Sequence, residues 1–347
     1  MIRRPAYGAM IRRGALAALA AAAASLAVPA SADDQAVPVR VQVAVDRGLE
    51  WLAAHQNANG SFSTHTAVTS LAVLAFLARG HVPGQGPYGD RINRAVDHIL
   101  VSQRPNGVLS NSPDSQPMYD HGISTVMLCE CYGMVDEARR KKIDAAIARA
   151  VRLILDAQRV PKSNNESGGW RYRPDSTDSD ISVTGWQLMA LRAAANNGAA
   201  VPKNALDDGV AYLRKRANPS GGFSYQFTGD PNNARTGTGV LALTLLGQPD
   251  SREAQAGGEY LVRTPLKADD DFFYYAVYYC SQAANQLGGK YWTGIYPPIQ
   301  ETLIATQKQN GSWIAARSEI QGGDAYATAM AVLALAIPYR SLPIYQR

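Results

Sequence analysis

The sequence predicts an all-α protein, a single (α/α)6 toroid of six inner and six outer helices. Three observations carry that prediction. The phrase Gln-x-x-x-Gly-x-aromatic stands near both ends of the chain, as QNANGSF at 56–62 and QKQNGSW at 307–313. Related phrases recur between them: QRPNGVL at 103–109, a stretched copy from Gln158 to GGW at 168–170, and PSGGFSY at 219–225. Each phrase sits between two kinds of helical pattern, amphipathic before it and apolar nearly all round after it.

From Phe62 to Trp313 is 251 residues over five intervals, a period of roughly 50 that marks a repeat architecture. In chain order, the inner pattern appears first as TSLAVLAFLARG at 69–80 and the outer one as INRAVDHILVSQ at 92–103. AIARAVRLILDAQ at 146–158 is outer, and VTGWQLMALRAA at 183–194 and GTGVLALTLLG at 237–247 are inner. The fifth copy, near KADDDFF at 267–273, has lost its Gly and leads into the aromatic run FFYYAVYY at 272–279. IQETLIATQKQ at 299–309 is outer and ATAMAVLALAI at 327–337 inner. The Gly suits a helix C-terminus that turns left-handed, and the aromatic plugs the gap beside the next helix. An open stack of such pairs needs polar caps. Neither end shows one, so repeat six is expected to dock on repeat one.

The first 32 residues read as an export signal: Arg3, Arg4, Arg12 and Arg13, an apolar core at 14–28, and Ala30-x-Ala32 before Asp33. Residues 33–40 form a short tail and 41–347 the toroid. The protein is therefore expected in the periplasm or outside the cell, with Asp33 as its first residue; mass spectrometry of the exported protein checks this, and an intact N-terminus overturns it. Formal charge is +5 for the precursor, 34 Lys+Arg against 29 Asp+Glu. Losing those four arginines leaves 30 against 29, which gives no footprint for nucleic acid. After the leader, no apolar run is long enough to anchor the chain in a membrane. Three cysteines are an odd number. Cys129 and Cys280 fall at equivalent places on opposite sides of a closed ring, so buried free thiols are expected.

Aligning the inner helices on their apolar centres lines up His65, Asp120, Asp180, Asn232, Asp271 and Asp324, and four residues later Thr69, Ser124, Thr184, Thr236, Tyr275 and Thr328. Asp and Asn are preferred helix N-caps and complement the helix dipole. If the inner helices run parallel, the same residues form an acidic rim at one mouth of the ring. His121 and Arg235 lie beside that rim, Arg235 within reach of its acids. The tyrosines of the fifth inner helix, Tyr275 among them, supply packing or an aromatic wall. Asp120-His121 is the only candidate metal pair, and adjacent residues seldom both ligate one metal.

The repeated phrases resemble the QW repeats of squalene and hopene cyclases. Residues 40–345 look like the α/α-toroid superfamily of terpenoid cyclases and protein prenyltransferase β subunits, most of all its secreted bacterial repeat proteins. The resemblance implies the fold more strongly than an activity. Class II cyclases protonate their substrate with the middle Asp of Asp-x-Asp-Asp. In DSDISVTGW at 178–186, Asp178 and Asp180 match the first two acids and Ile181 replaces the third, so any catalysis of that kind would fall to Asp180 with Asp178 beside it. Prenyltransferase zinc ligands are missing: Ala327 stands at the expected His and no Asp-x-Cys occurs. The Cys-Gly-Glu-Gln of thioester toroids is missing too. No cofactor or metal is implied. The leading expectation is an exported toroid binding a small apolar ligand or a protein partner at the acidic mouth (His65, Asp120, His121, Arg235, Asp271, Tyr275, Asp324). A class II cyclase using Asp180 and a polysaccharide-active enzyme are the alternatives. The discriminating observation is whether the ring's centre is open.

Overall fold

The computed structural model describes residues 37–112 and 116–346; the expected leader, its cleavage point and residues 33–36 lie outside the described residues. Twelve α-helices are found there: α1 Val39–Ala54, α2 Thr66–Ala78, α3 Gly89–Val101, α4 Pro117–Cys131, α5 Glu137–Arg159, α6 Ile181–Asn196, α7 Lys203–Arg216, α8 Asn233–Leu245, α9 Arg252–Arg263, α10 Phe273–Leu287, α11 Gly289–Thr306 and α12 Gly323–Leu335. No strand forms among the described residues beyond three isolated bridges. None of the helices is long and apolar enough to cross a membrane.

The even-numbered helices are inner. Each packs on the next, α2 on α4 and so on to α12, and α12 packs back on α2. The odd-numbered helices lie outside them, with α1 against both α11 and α12. Composition assigns these places. In α2 every residue except Ala67 is buried, whereas α3 buries only Gly89, Ile92, Ala95, Val96 and Ile99. A helix without a polar face belongs inside; one with a single apolar stripe belongs on the rim.

The repeated phrase is a set of staples. The Gln56 side-chain amide donates to Gly60 O (3.0 Å) and Arg91 O of α3 (2.9 Å). Gln103 does the same to Gly107 O and Ala146 O of α5, both 3.0 Å, and Gln158 to Gly168 O and Ala205 O of α7, both 2.9 Å. Gln307 donates to its own Gly311 O (2.9 Å) and to Ala44 O of α1 (2.8 Å). Each Gln therefore ties its own turn to the next outer helix, and the last closes the ring onto the first. The phrase stands at both ends because the ends are neighbours. Gly is required at these turns. Gly311 has φ +94° and Gly168 φ +93°, and a Cβ at either would strike the backbone carbonyl of the next outer helix, at Arg47 or Asp208.

The aromatic after the Gly is buried and doubly held. Trp170 and Trp313 donate their indole N–H to Ile154 O and Leu303 O, both 2.8 Å. Backbone amides of Phe62, Trp170, Phe223 and Trp313 donate to the hydroxyls of Thr69, Thr184, Thr236 and Thr328 at 3.0–3.1 Å. The Thr column is thus a shelf for the aromatic turns. All three cysteines are free and buried, and burial pushes their thiols up.

At the C-terminal end of the inner helices the chain folds back on itself. Tyr345 bonds the Tyr278 hydroxyl, the Gln286 side chain donates to Tyr345 O (2.8 Å), and Ile344 N donates to Glu130 (3.2 Å). Burial raises the Glu130 carboxyl to about 7 against the pull of that amide.

Candidate functional site

The N-termini of the inner helices gather at the opposite mouth, and the column of polar residues divides there. Asp180 and Asn232 are N-caps of their own helices: Asp180 Oδ1 accepts from Val183 N and Asn232 Oδ1 from Arg235 N, both 2.9 Å. The others depart from the expectation. Asp120 lies inside the first turn of α4 and serves a neighbour, accepting from Ala67 N of α2 (2.9 Å) and Ser110 Oγ (2.7 Å). His65 is the N-cap residue of α2 but does not cap it through its side chain. Asp271 is exposed, outside α10. The first amides of that helix, Tyr274 N and Tyr275 N, donate instead to Glu319 (3.1 and 2.9 Å). Asp324 lies in the first turn of α12 and accepts from Ala315 N (3.0 Å). The expected ring of six caps is a partial one because Asp120 holds the adjacent repeat, Asp324 holds the turn before its own helix, and Asp271 is replaced by Glu319.

His121 is a structural residue. It is fully buried, its Nδ1 accepts from Leu109 N (3.0 Å), and its Nε2 faces Ala150 O (3.2 Å). It does in repeat two what Thr does in repeats one, three, four and six. Burial lowers its pKa to about 4, so it stays neutral. The described residues contain no group of three or more His, Cys, Asp or Glu able to hold a metal ion.

A site does form around Asp180. The segment before α6 pairs with the Trp170 turn, Asp180 N donating to Trp170 O (3.0 Å), and Ile181 N donates to Tyr225 O (3.2 Å). These bonds set the Asp180 carboxyl, fully buried, between repeats three and four. Its Oδ2 faces Arg171 Nε at 3.2 Å, while the same guanidinium bonds Asp178. Arg171 lies over Tyr172 (4.7 Å) and Tyr225 (5.6 Å), whose hydroxyls bond each other, and Arg235 also lies over the Tyr225 ring, at 5.3 Å. Arg235 also donates to Asp230 O (3.0 Å); the ion pair expected of it with a rim acid is made by Arg171. Desolvation raises the Asp180 carboxyl to about 7, against the lowering pull of Val183 N–H and Arg171.

Tyr119, Tyr275 and Tyr326 stand near the start of α4, α10 and α12 at the same mouth, each half-buried. Burial pushes all three hydroxyls upward, Tyr275 to about 12. Below them the axis is filled. Trp186 stacks on Tyr278 with centroids 5.6 Å apart and planes at 11°, and Tyr279 meets both at 5.5 and 5.0 Å. These three side chains are 0%, 1% and 0% exposed, so the centre is closed at their level.

Arg171, Tyr172, Tyr225, Tyr119 and Glu319 were not legible as site residues from the acid column. One signal for two of them exists: Tyr172 and Tyr225 each stand two residues after a phrase aromatic, Trp170 and Phe223.

No protein-family model matches the chain. A curated relative, the drimenyl diphosphate synthase of Streptomyces showdoensis, is 28% identical over 188 residues, 53% of this chain. The chain spans about a third of that relative's length, 32% being covered. Among solved structures, a wild-type glycosidase superposes with a TM-score of 0.57 at 14% identity, covering 88% of this chain and 98% of the other. A type II terpene cyclase from Scytonema, solved with geranylgeranyl dihydroxybenzoate, aligns over 88% of this chain and 99% of the other at 14% identity and a TM-score of 0.42. With inner helices closing on one another and four of the turns stapled to the next outer helix, the chain has the α/α-toroid fold.

Proposed function

We propose that this chain is a small-molecule-binding toroid. Its site is the tyrosine-lined mouth above Asp180 and Arg171, and it does not start cyclisation by protonating an alkene. The observation that carries this reading is the setting of the Asp180 carboxyl. It is fully buried at the mouth, above the Trp186, Tyr278 and Tyr279 layer, with Arg171 Nε 3.2 Å from its Oδ2. An alkene is a very weak base and needs a strong acid. Burial moves Asp180 the other way, to about 7, and the neighbour that would tune it is the buried, inert Ile181. The protein is further proposed to be exported, on the strength of its first 32 residues.

The purified protein is expected to convert neither squalene nor shorter isoprenoids. The second reading, a class II cyclase with Asp180 as proton donor, is favoured by the likeness to the drimenyl diphosphate synthase. A cyclised product from the wild type that disappears in Asp180→Asn, with the melting curve unmoved, would establish it.

A further inference from the structure

We propose that residues 340–346 are a releasable plug, docked at the end of the ring opposite Asp180 by the Glu130 side chain and let go as that carboxyl ionises. The device is independent of what binds at the other mouth.

The plug has a hinge and a narrow hold. Residues 337–339 form a turn packed on α10 and α12. The chain then reverses at Arg340, whose φ of +52° lies in the left-handed region that a β-carbon disfavours. Beyond it, only Leu342 and Ile344 are buried among residues 341–346. Three hydrogen bonds fix the rest. Ile344 N donates to Glu130 Oε2 of α4 (3.2 Å), the Gln286 side chain of α10 donates to Tyr345 O (2.8 Å), and the Tyr345 and Tyr278 hydroxyls bond each other. A segment with so little apolar surface opens at a small cost once one of its polar contacts weakens. Through Tyr278 it also bears on the Trp186 stack that closes the ring's centre.

Glu130 is the contact that can weaken. Its side chain is buried, and among the described residues no Lys, Arg or His charge acts on it. The titratable groups that face it are the Cys129 and Cys131 thiols of its own helix, Tyr278 of α10 and Tyr345 of the tail, and burial pushes all four up, so that they stay neutral. A protonated Glu130 accepts from Ile344 N without burying a charge. An ionised one is a buried carboxylate without a cation, which burial disfavours and which water relieves once the tail lifts. Burial raises the docked carboxyl from 4.5 to about 7. Below pH 4.5 it is protonated whether the tail is docked or lifted, and docking is at full strength. Between 4.5 and 7 the lifted state gives up the proton and the docked state keeps it, so docking weakens by up to about tenfold per pH unit and levels off above 7.

The test is hydrogen exchange of the full chain from pH 5 to 8, each rate divided by the intrinsic rate at that pH, for the amides of Ile344, Tyr345 and Gln346. Amides of α8 report global opening. Protection of the tail is expected to fall at least about tenfold between pH 5 and 7 relative to α8. In Glu130→Gln, which keeps an acceptor oxygen for Ile344 N and does not titrate, it should stay level. If Glu130→Gln does not fold, Tyr345→Phe takes its place, with tail protection lowered at every pH and the same fall between pH 5 and 7. Tail protection that is flat with pH in the wild type, or that falls only in step with α8, would overturn the plug. So would an equal fall in Glu130→Gln, or a Tyr345→Phe tail as protected as the wild type's.

Discussion

Trp313→Ala should destabilise the protein by about 3–5 kcal/mol, the range for deleting a large buried aromatic. The size follows from where Trp313 stands. It is fully buried, with its indole N–H on Leu303 O and its amide on Thr328 Oγ1. It also touches the first repeat. A Cβ added at Gly48 of α1 would lie 3.0 Å from the Trp313 ring and closer still to Val332, so α1 rests directly on this side chain. Removing the ring hollows the seam where α12 and α11 meet α1, and leaves the Leu303 carbonyl only the longer bond from the Thr306 hydroxyl (3.3 Å). Trp170 is the control. Its environment is equivalent, with the same two hydrogen bonds, but it lies within the chain and not at the closure. Urea denaturation of both variants separates burial from closure: Trp170→Ala reports burial alone, and any excess at Trp313 belongs to the seam. A midpoint shift worth under about 1 kcal/mol at Trp313 would mean that the seam repacks without it.

The fold was legible because its causes are local. A Gln four residues before a Gly, with an aromatic two beyond, encodes a staple whose atoms mostly lie within one turn and its neighbour. Helices α7 and α9 were harder to read, being polar and carrying Gly209, Gly257 and Gly258. Those glycines make sense only against what they face: Gly209 lies on Leu188, and Gly258 on Leu287 and Tyr291. The site was less legible for the same reason in stronger form. A column of acids before apolar helices reads as six caps, and Asp180 and Asn232 obey it. Asp120 caps a helix 53 residues earlier, and Glu319 caps one 44–45 residues earlier. Such exchanges between repeats leave no local pattern. The lost Gly of the fifth copy signalled its departure, where Phe272 takes the left-handed conformation at φ +56°, but nothing in that stretch pointed to Glu319.

Asp180→Asn should be neutral at low pH and stabilising above neutrality. Burial raises the folded-state carboxyl from its ordinary 3.8 to about 7. Below about pH 4 the group is protonated in both states, and an amide in its place changes little, since Asn caps a helix about as well as Asp. As pH rises towards 7 the unfolded chain gives up this proton while the folded protein keeps it, so the wild type loses stability across that window. The rise corresponds to roughly 4 kcal/mol once both states are ionised. Asn does not titrate, so the variant escapes the loss. It should equal the wild type near pH 4 and exceed it by a few kcal/mol at pH 8. Arg171 keeps Asp178 as a partner throughout. Asp180→Ala should follow the same slope but lie about 1 kcal/mol lower at every pH, having lost the cap. The measurement is the denaturation free energy of the three proteins at pH 4, 6 and 8. A wild type more stable than Asp180→Asn at pH 8 would mean that the Arg171 pair outweighs burial, making Asp180 an ionised clamp at neutral pH with no proton to give. A variant whose advantage over the wild type grows with pH as expected would mean that the carboxyl holds its proton into the neutral range, a weak acid suited to hydrogen bonding and poorly suited to protonating an alkene.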